Sequence, residues 1–312
     1  MNRLTVLILV IFFLNQCSIN EKSRLWQDKE KKLVINDNIK KIFSDEKIIT
    51  TEFNKDLKLD LSKIQSNNKI LENKNNYGSQ SYSGLINKIG NYKFSKFDNI
   101  NQLNFKPLFL DNGLIFFNNK GTIIRYDTNQ KVLWKKNHYS KSEKKLKPKL
   151  NFELVGENLL VTDSIAKYYS VNINTGELNW LKNNVYSFNS DIKKDKQIFF
   201  AVDYKNTLRC YNVSDGSECW ALQTENSFMI SNSKYSLIII GNNVIFSNSI
   251  GDITAVDIDS GLINWQLPTQ SSSILQESYN FKISKLVSDG KAIFLSNNKQ
   301  EFYSVDVKTG TT

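Results

Sequence analysis

Apolar residues along the second half of the chain fall in short runs, each ended by Asn, Asp or Gly. The clearest are LIFFNN (114–119), LLVTD (159–163), IFFAVD (198–203), VIFSNS (244–249) and AIFLSN (292–297). Each is too short for a helix and rich in β-branched or aromatic residues, so each predicts a strand. Weaker apolar stretches precede four of them: PLFL (107–110), FELVG (152–156), SLIIIG (236–241) and ISKLV (283–287). After each clear run comes a third pattern. GTIIRYDTNQKVLW (121–134), AKYYSVNINTGELNW (166–180), NTLRCYNVSDGSECW (206–220) and GDITAVDIDSGLINW (251–265) align with one another, and QEFYSVDVKTG (300–310) begins a fifth copy that stops before its Trp. Each copy reads as an alternating strand, a tight turn and a second strand bearing Trp.

The Trp residues, Trp134, Trp180, Trp220 and Trp265, recur at intervals of 46, 40 and 45 residues, a period expected of propeller blades. The turns carry Gly176, Gly216, Gly261 and Gly310, since Gly takes positive φ without steric cost. The Asp or Asn that opens each turn (Asp127, Asn172, Asn212, Asp257, Asp306) is placed to accept hydrogen bonds from turn N–H groups. The Trp offers a broad flat face to wedge between sheets. The expected fold is therefore all-β: a β-propeller of four-stranded antiparallel blades, with apolar strands innermost and the Trp hairpin outward. One such blade cannot bury both faces alone, whereas stacked blades share a continuous core.

The N-terminus reads differently. Arg3 precedes an unbroken apolar run, Leu4 to Leu14. That is shorter than the roughly 20 residues needed to span a bilayer and suits a signal-peptide core. Cys17 follows almost at once. The arrangement resembles a bacterial lipobox, in which the peptide is cut before the Cys and the Cys is acylated. Asn15 and Gln16 stand where that pattern prefers small residues, so an ordinary signal peptide is the alternative. Several acyl chains, at about 0.8 kcal/mol per buried methylene, would hold a domain on a membrane. The expected organisation is a signal peptide (1–16), a lipid-anchored tether (17–84) and a propeller portion (85–312). Within the tether, IKKIFSDEKII (39–49) suits a short amphipathic helix and residues 62–84 read as flexible; the tether can also carry a strand that locks the ring.

Together the repeats (107–312) and the anchor (1–17) resemble the PQQ-type repeat family of BamB-like outer-membrane assembly lipoproteins. The resemblance implies about eight blades. Four complete Trp motifs and one partial one are present, so the sequence is expected to be C-terminally truncated. Alternatively, YKFSKF (92–97) supplies an outer strand and closes a smaller ring. The resemblance also implies a non-enzymatic scaffold at the periplasmic face of the outer membrane, a preference that Ser18 after the Cys supports. The implied partner is a BamA-like barrel-inserting subunit, bound through interblade loops. By repeat order those loops are 224–234 and 269–282. Phe228, Met229, Ile274, Leu275, Tyr279 and Phe281 are the candidate contacts, or they cap blade edges.

Composition narrows the alternatives. The chain is 40% hydrophobic and 12% aromatic, enough for a sizeable core, and carries a net charge of +10. Its lysines are scattered or lie in mixed runs such as KSEKKLKPK (141–149), with no aromatic-plus-basic recognition motif, so a solvated basic surface is expected rather than nucleic-acid binding. His138 is the one histidine, which leaves neither a zinc ligand set nor a Ser-His-acid triad. There is no phosphate-binding Gly-rich loop. A quinone-dependent periplasmic dehydrogenase of the same fold is the competing reading. Such enzymes generally use a vicinal Cys pair, which is missing here, and the repeated acids suit turns better than one catalytic site. No cofactor or small-molecule substrate is therefore expected. Cys210 and Cys219 flank one hairpin turn; they form a cross-strand disulfide in an oxidising compartment or act as small apolar fillers.

Overall fold

The apolar runs pair with their neighbours in sequence, and each group of four makes one sheet. The computed structural model describes residues 74–77, 90–94, 105–225, 234–269, 283–298 and 300–312. The chain divides into two units, Met1–Asp60 and Leu61–Thr312, and every described residue lies in the second. The first blade is β1 (Leu108–Leu110), β2 (Gly113–Phe117), β3 (Ile123–Asp127) and β4 (Val132–Lys136). The second is β5 (Leu150–Val155), β6 (Asn158–Asp163), β7 (Lys167–Asn172) and β8 (Leu178–Asn183). The third is β9 (Lys193–Asp195), β10 (Ile198–Val202), β11 (Thr207–Asn212) and β12 (Glu218–Gln223). The fourth is β13 (Leu237–Ile240), β14 (Asn243–Ser247), β15 (Ile253–Asp257) and β16 (Ile263–Leu267). A three-stranded sheet of β17 (Val287–Ser288), β18 (Ala292–Ser296) and β19 (Phe302–Asp306) follows. Every pairing is antiparallel between consecutive strands, and the inner strand β9 approaches both β5 and β13. These are the blades of a β-propeller.

The core lies between blades rather than within them. In β10, Phe199 and Ala201 pack with Leu160 and Tyr168 of the second blade. Phe200 and Val202 point the other way, against Leu237, Val244 and Phe246 of the fourth. Alternation thus exists, but both faces are buried, which is why the strand reads as a continuous apolar run. The same two-sided burial puts Ile245 and Ile253 against Ile293 and Val305 of the last sheet.

Each Trp clasps the following blade. The indole N–H of Trp134 donates to the Ile173 carbonyl, Trp180 to Val213, Trp220 to Ile258 and Trp265 to Val307, each at 2.9 Å. The ring lies on the next blade's turn glycine. A Cβ added to Gly261 would fall 2.7 Å from Trp220 Cδ2, and one on Gly216 would fall 2.5 Å from Trp180 Cζ3. These glycines therefore answer two demands: a positive φ near 70° and an indole directly overhead. In the first blade, the equivalent turn has Gln130 at φ 65°, and Asn91 N–H donates to its side-chain oxygen at 2.9 Å. Tyr92 and Phe94 cover that blade's flank through edge contacts with Tyr126 and Phe116. The described part of the 92–97 segment thus lies against the first blade.

Two sequence expectations need correction, and one solvated run gains a structure that the sequence pattern does not give it. The inner strands are not uniformly apolar: β9 is Lys-Lys-Asp, and β17 is only two residues long. Residues 141–145 are solvated as expected and form helix α1 (Lys141–Lys145), with Ser140 and Glu143 making a reciprocal capping box and no residue of the helix buried. The Asx residues opening the β3–β4 type of turn do not all accept. Asn172, Asp257 and Asp306 each take two turn N–H groups, whereas Asn212 donates to Ser217.

The clasp predicts unequal costs for two glycines of the same conformation. Gly241 (φ +57°) has nothing within 4 Å of an added Cβ, so Gly241→Ala should cost about 1–2 kcal/mol for the left-handed backbone alone. Gly261→Ala should cost about 1–3 kcal/mol more, because the indole must move. Urea-unfolding midpoints compare the two; equal losses would mean that the indole is not what requires Gly261.

Candidate functional site

An antiparallel four-stranded blade starts and finishes at the same end of its sheet. The connections from one blade's outer strand to the next blade's inner strand therefore all emerge there, beside the turns joining each second and third strand. Those turns share a design. Asn118, Asp163, Asp203 and Asn248 each accept two backbone N–H bonds, from the residues two and four positions on. Three residues after each, and after Asn297, the backbone turns left-handed: Gly121, Ala166, Asn206, Gly251 and Gln300.

These turns hold the interblade connections where they leave the sheet. Asn137 donates to the Lys120 carbonyl and to Thr122 Oγ1. Asn184 N–H donates to the Ala166 carbonyl at 2.7 Å, Thr224 N–H to that of Asn206 at 3.2 Å, and Thr269 Oγ1 to that of Gly251 at 2.8 Å. In the first connection, Tyr139 O–H donates to buried Asp163 at 2.6 Å, and Lys167 pairs with Glu143 of α1 at 2.7 Å. Burial drives the Tyr139 phenol well above its ordinary value, so it stays a donor. Burial also raises the Asp163 carboxyl, to about 6, although its hydrogen bonds from Tyr139 and the backbone oppose the rise. Beyond these anchor points the described connections expose apolar side chains: Leu146 at 65%, Val185 at 76% and Tyr186 at 42%.

Toward the inner strands the lining becomes charged. A cavity of about 420 Å³ is bordered by Phe105, Asn151, Ser164, Asn189, Tyr204 and Lys234. The Lys234 ammonium donates to Asn151 at 2.6 Å and to Asp191 at 2.9 Å, and lies 4.1 Å from the Phe105 ring centre. Burial opposes ionisation of Asp191, but Lys234 and Lys285 overcome it and hold the carboxyl well below the usual range. Lys193 is brought down to about 8 by burial, partly offset by Asp191 and Glu153. Its ammonium donates to Asn76 at 2.8 Å. Residues 74–77, assigned from sequence to the tether, are docked here. The Lys74 carbonyl accepts from Ile239 N–H, that of Asn75 accepts from Ser288 N–H, and Asn76 donates to the Leu286 carbonyl. The free inner edges of β13 and β17 are thereby paired by one segment.

The sequence-predicted residues separate into three groups. Trp134, Trp180, Trp220 and Trp265 with Gly176, Gly216, Gly261 and Gly310 meet in the clasps. Cys17, Phe228, Met229, Ile274, Leu275, Tyr279 and Phe281 lie outside the described residues. Cys210 and Cys219 are free thiols, the first buried and the second exposed. His138 is half-buried with its ring edge-on to Tyr169, its pKa lowered chiefly by burial. Among the described residues no three His, Cys, Asp or Glu side chains come together. Sequence reasoning missed the second family of turns and the exposed apolar residues of the first two connections. The turns were legible as Asx followed three positions later by Gly, Asn, Ala or Gln.

Residues 119–312 match the family described as outer membrane protein assembly factor BamB. Among solved structures, BamB from Moraxella catarrhalis is similar at 15% identity and a TM-score of 0.50, over 65% of this chain and 60% of that one. The chain thus spans 60% of the length of that relative. The computationally designed proteins Ika4 (13% identity, TM-score 0.39, 49% of this chain and 89% of that one) and Ika8 (12%, 0.41, 64% and 70%) are fainter likenesses. No curated protein sequence matches.

Asp163 makes stability at this end dependent on pH. Its carboxyl is raised from 3.8 to about 6 in the fold, so between those values the folded protein holds a proton that the unfolded chain has lost. Its stabilising contribution is full below about pH 4 and disappears as pH rises through about 6. Relative to Asp163→Asn, the native protein should therefore gain on the order of 2 kcal/mol between pH 7 and pH 4. Urea titrations of both proteins at the two pH values test this; parallel pH profiles would contradict it.

Proposed function

The chain belongs to the BamB family, and from that premise we propose that it is a non-enzymatic lipoprotein scaffold of the outer-membrane β-barrel assembly machinery. It sits on the periplasmic face of the outer membrane, anchored through acylated Cys17. It holds the barrel-inserting, BamA-like subunit by the interblade loops. The observation that carries this reading is the family match across residues 119–312.

The physical case rests on how the loop end is built. Each connection starts from a hydrogen-bonded turn, so its tip is presented by a rigid base rather than a floppy strand end. The described tips expose Leu146, Val185 and Tyr186 in otherwise polar surroundings. Apolar anchors in a polar frame are the composition of an interaction surface. The two later connections carry Phe228, Met229, Ile274, Leu275, Tyr279 and Phe281 in their sequences, which extends the same character to the face proposed to bind the partner.

Two experiments address the reading. Phe228→Ala combined with Tyr279→Ala should cut recovery of the barrel-inserting subunit in a pulldown several-fold while leaving the fold intact by circular dichroism. Unchanged recovery would remove the loop assignment. Separately, Cys17→Ala should move the protein from the membrane fraction to the soluble periplasm; a variant still sedimenting with membranes would end the anchoring proposal.

A further inference from the structure

The third blade carries a feature that the scaffold reading does not use. In each complete blade the residue before the Trp is a β-bulge. The ladder pairs Arg125 with Trp134 and Tyr126 with Val132, skipping Leu133. It likewise skips Asn179, Cys219 and Asn264. In a bulge, two residues of one strand oppose one residue of its partner. Here the skipped residue and the Trp both oppose the residue paired with the Trp. The second blade shows what this does to side chains: the bulge residue Asn179 reaches Ser170, the residue opposite Trp180, with Nδ2 3.0 Å from Oγ. In the third blade the same two positions hold Cys219 and Cys210, so the bulge sets the Cys219 side chain beside the residue opposite Trp220, as it does Asn179 beside Ser170.

We infer that Cys210 and Cys219 are a thiol–disulfide pair, closed across the bulge by exchange with a small-molecule disulfide. Cys219 is exposed and Cys210 is buried, which sets the order of events. The Cys219 thiolate attacks one sulfur of the oxidant and expels one thiolate, leaving a mixed disulfide. Cys210 then loses its proton and attacks the Cys219 sulfur, and the second thiolate leaves. Two protein thiols and one small disulfide become one protein disulfide and two small thiols, so the protein is oxidised and the oxidant reduced. Burial, and next the neighbouring Cys219, hold the Cys210 thiol well above its ordinary pKa. The buried sulfur is therefore the resolving one, and the exposed sulfur meets the oxidant first. The closed bond joins β11 to β12 beside Trp220, the residue that clasps the fourth blade.

The test uses the full chain and does not depend on the proposed partner or location. Trypsin cuts after Arg209 and next after Lys234, so a single peptide, 210–234, contains both cysteines. Folded protein is treated with oxidised glutathione, alkylated, digested and weighed by mass spectrometry. The expected peptide is lighter by two hydrogens and takes up no alkylating agent, and C210S should trap glutathione on Cys219. Closure should be several-fold slower in urea, where the bulge no longer aligns the pair. A peptide alkylated at both cysteines, a native protein stalled with glutathione on Cys219, or equal closure rates in urea would each overturn the inference.

Discussion

Everything in this fold depends on joining sheets that have two apolar faces and no means of burying either alone. The join is one indole over one glycine, with the indole N–H on a carbonyl of the same turn, made four times at the same length. The glycine admits the ring, the positive φ shapes the turn, and the turn offers its carbonyl. Removing any one of the three weakens the other two, because an indole N–H excluded from water needs an acceptor. The first blade supports this by exception. Among the described residues no indole lies on its turn, and there a Gln side chain is found at positive φ.

The sequence displayed this frame well because the frame is apolar and periodic. Trp and Gly spacing, the second strand of each blade and the turn acids are all legible in the sequence. That each Trp serves the next blade's Gly is not, since spacing alone does not say which turn a ring covers. The polar elements escaped for a related reason. Strand β9 is Lys-Lys-Asp, and it forms because β10 supplies a ladder and Asp191, Asn76 and Glu153 receive its charges. Helix α1 is a single charged turn whose signal was the Ser140–Glu143 capping box rather than any periodicity. Ala166 at φ 72° shows tertiary context overriding residue preference.

The candidate face inherits its order from the least conspicuous residues. Asn118, Asp163, Asp203 and Asn248 make short polar turns, and those turns supply the carbonyls that fix each interblade connection. Asn206 goes further. Its side-chain amide donates to the Ser249 hydroxyl and accepts from the Ser249 N–H in the next blade, so neighbouring turns are tied to one another. Loop composition can vary on such a base without disturbing the blades, which is how one fold carries many different binding surfaces.

The docking of residues 74–77 has a mechanical consequence. A pull on the chain upstream of Lys74 is received by Ile239 and Ser288, in the innermost strands of two different blades, and by the side-chain bonds of Asn76. The load enters near the propeller's axis and is shared among three sheets from the start, since Asn76 also holds Lys193 of β9, so traction on the leading segment strains the hub before it reaches any rim.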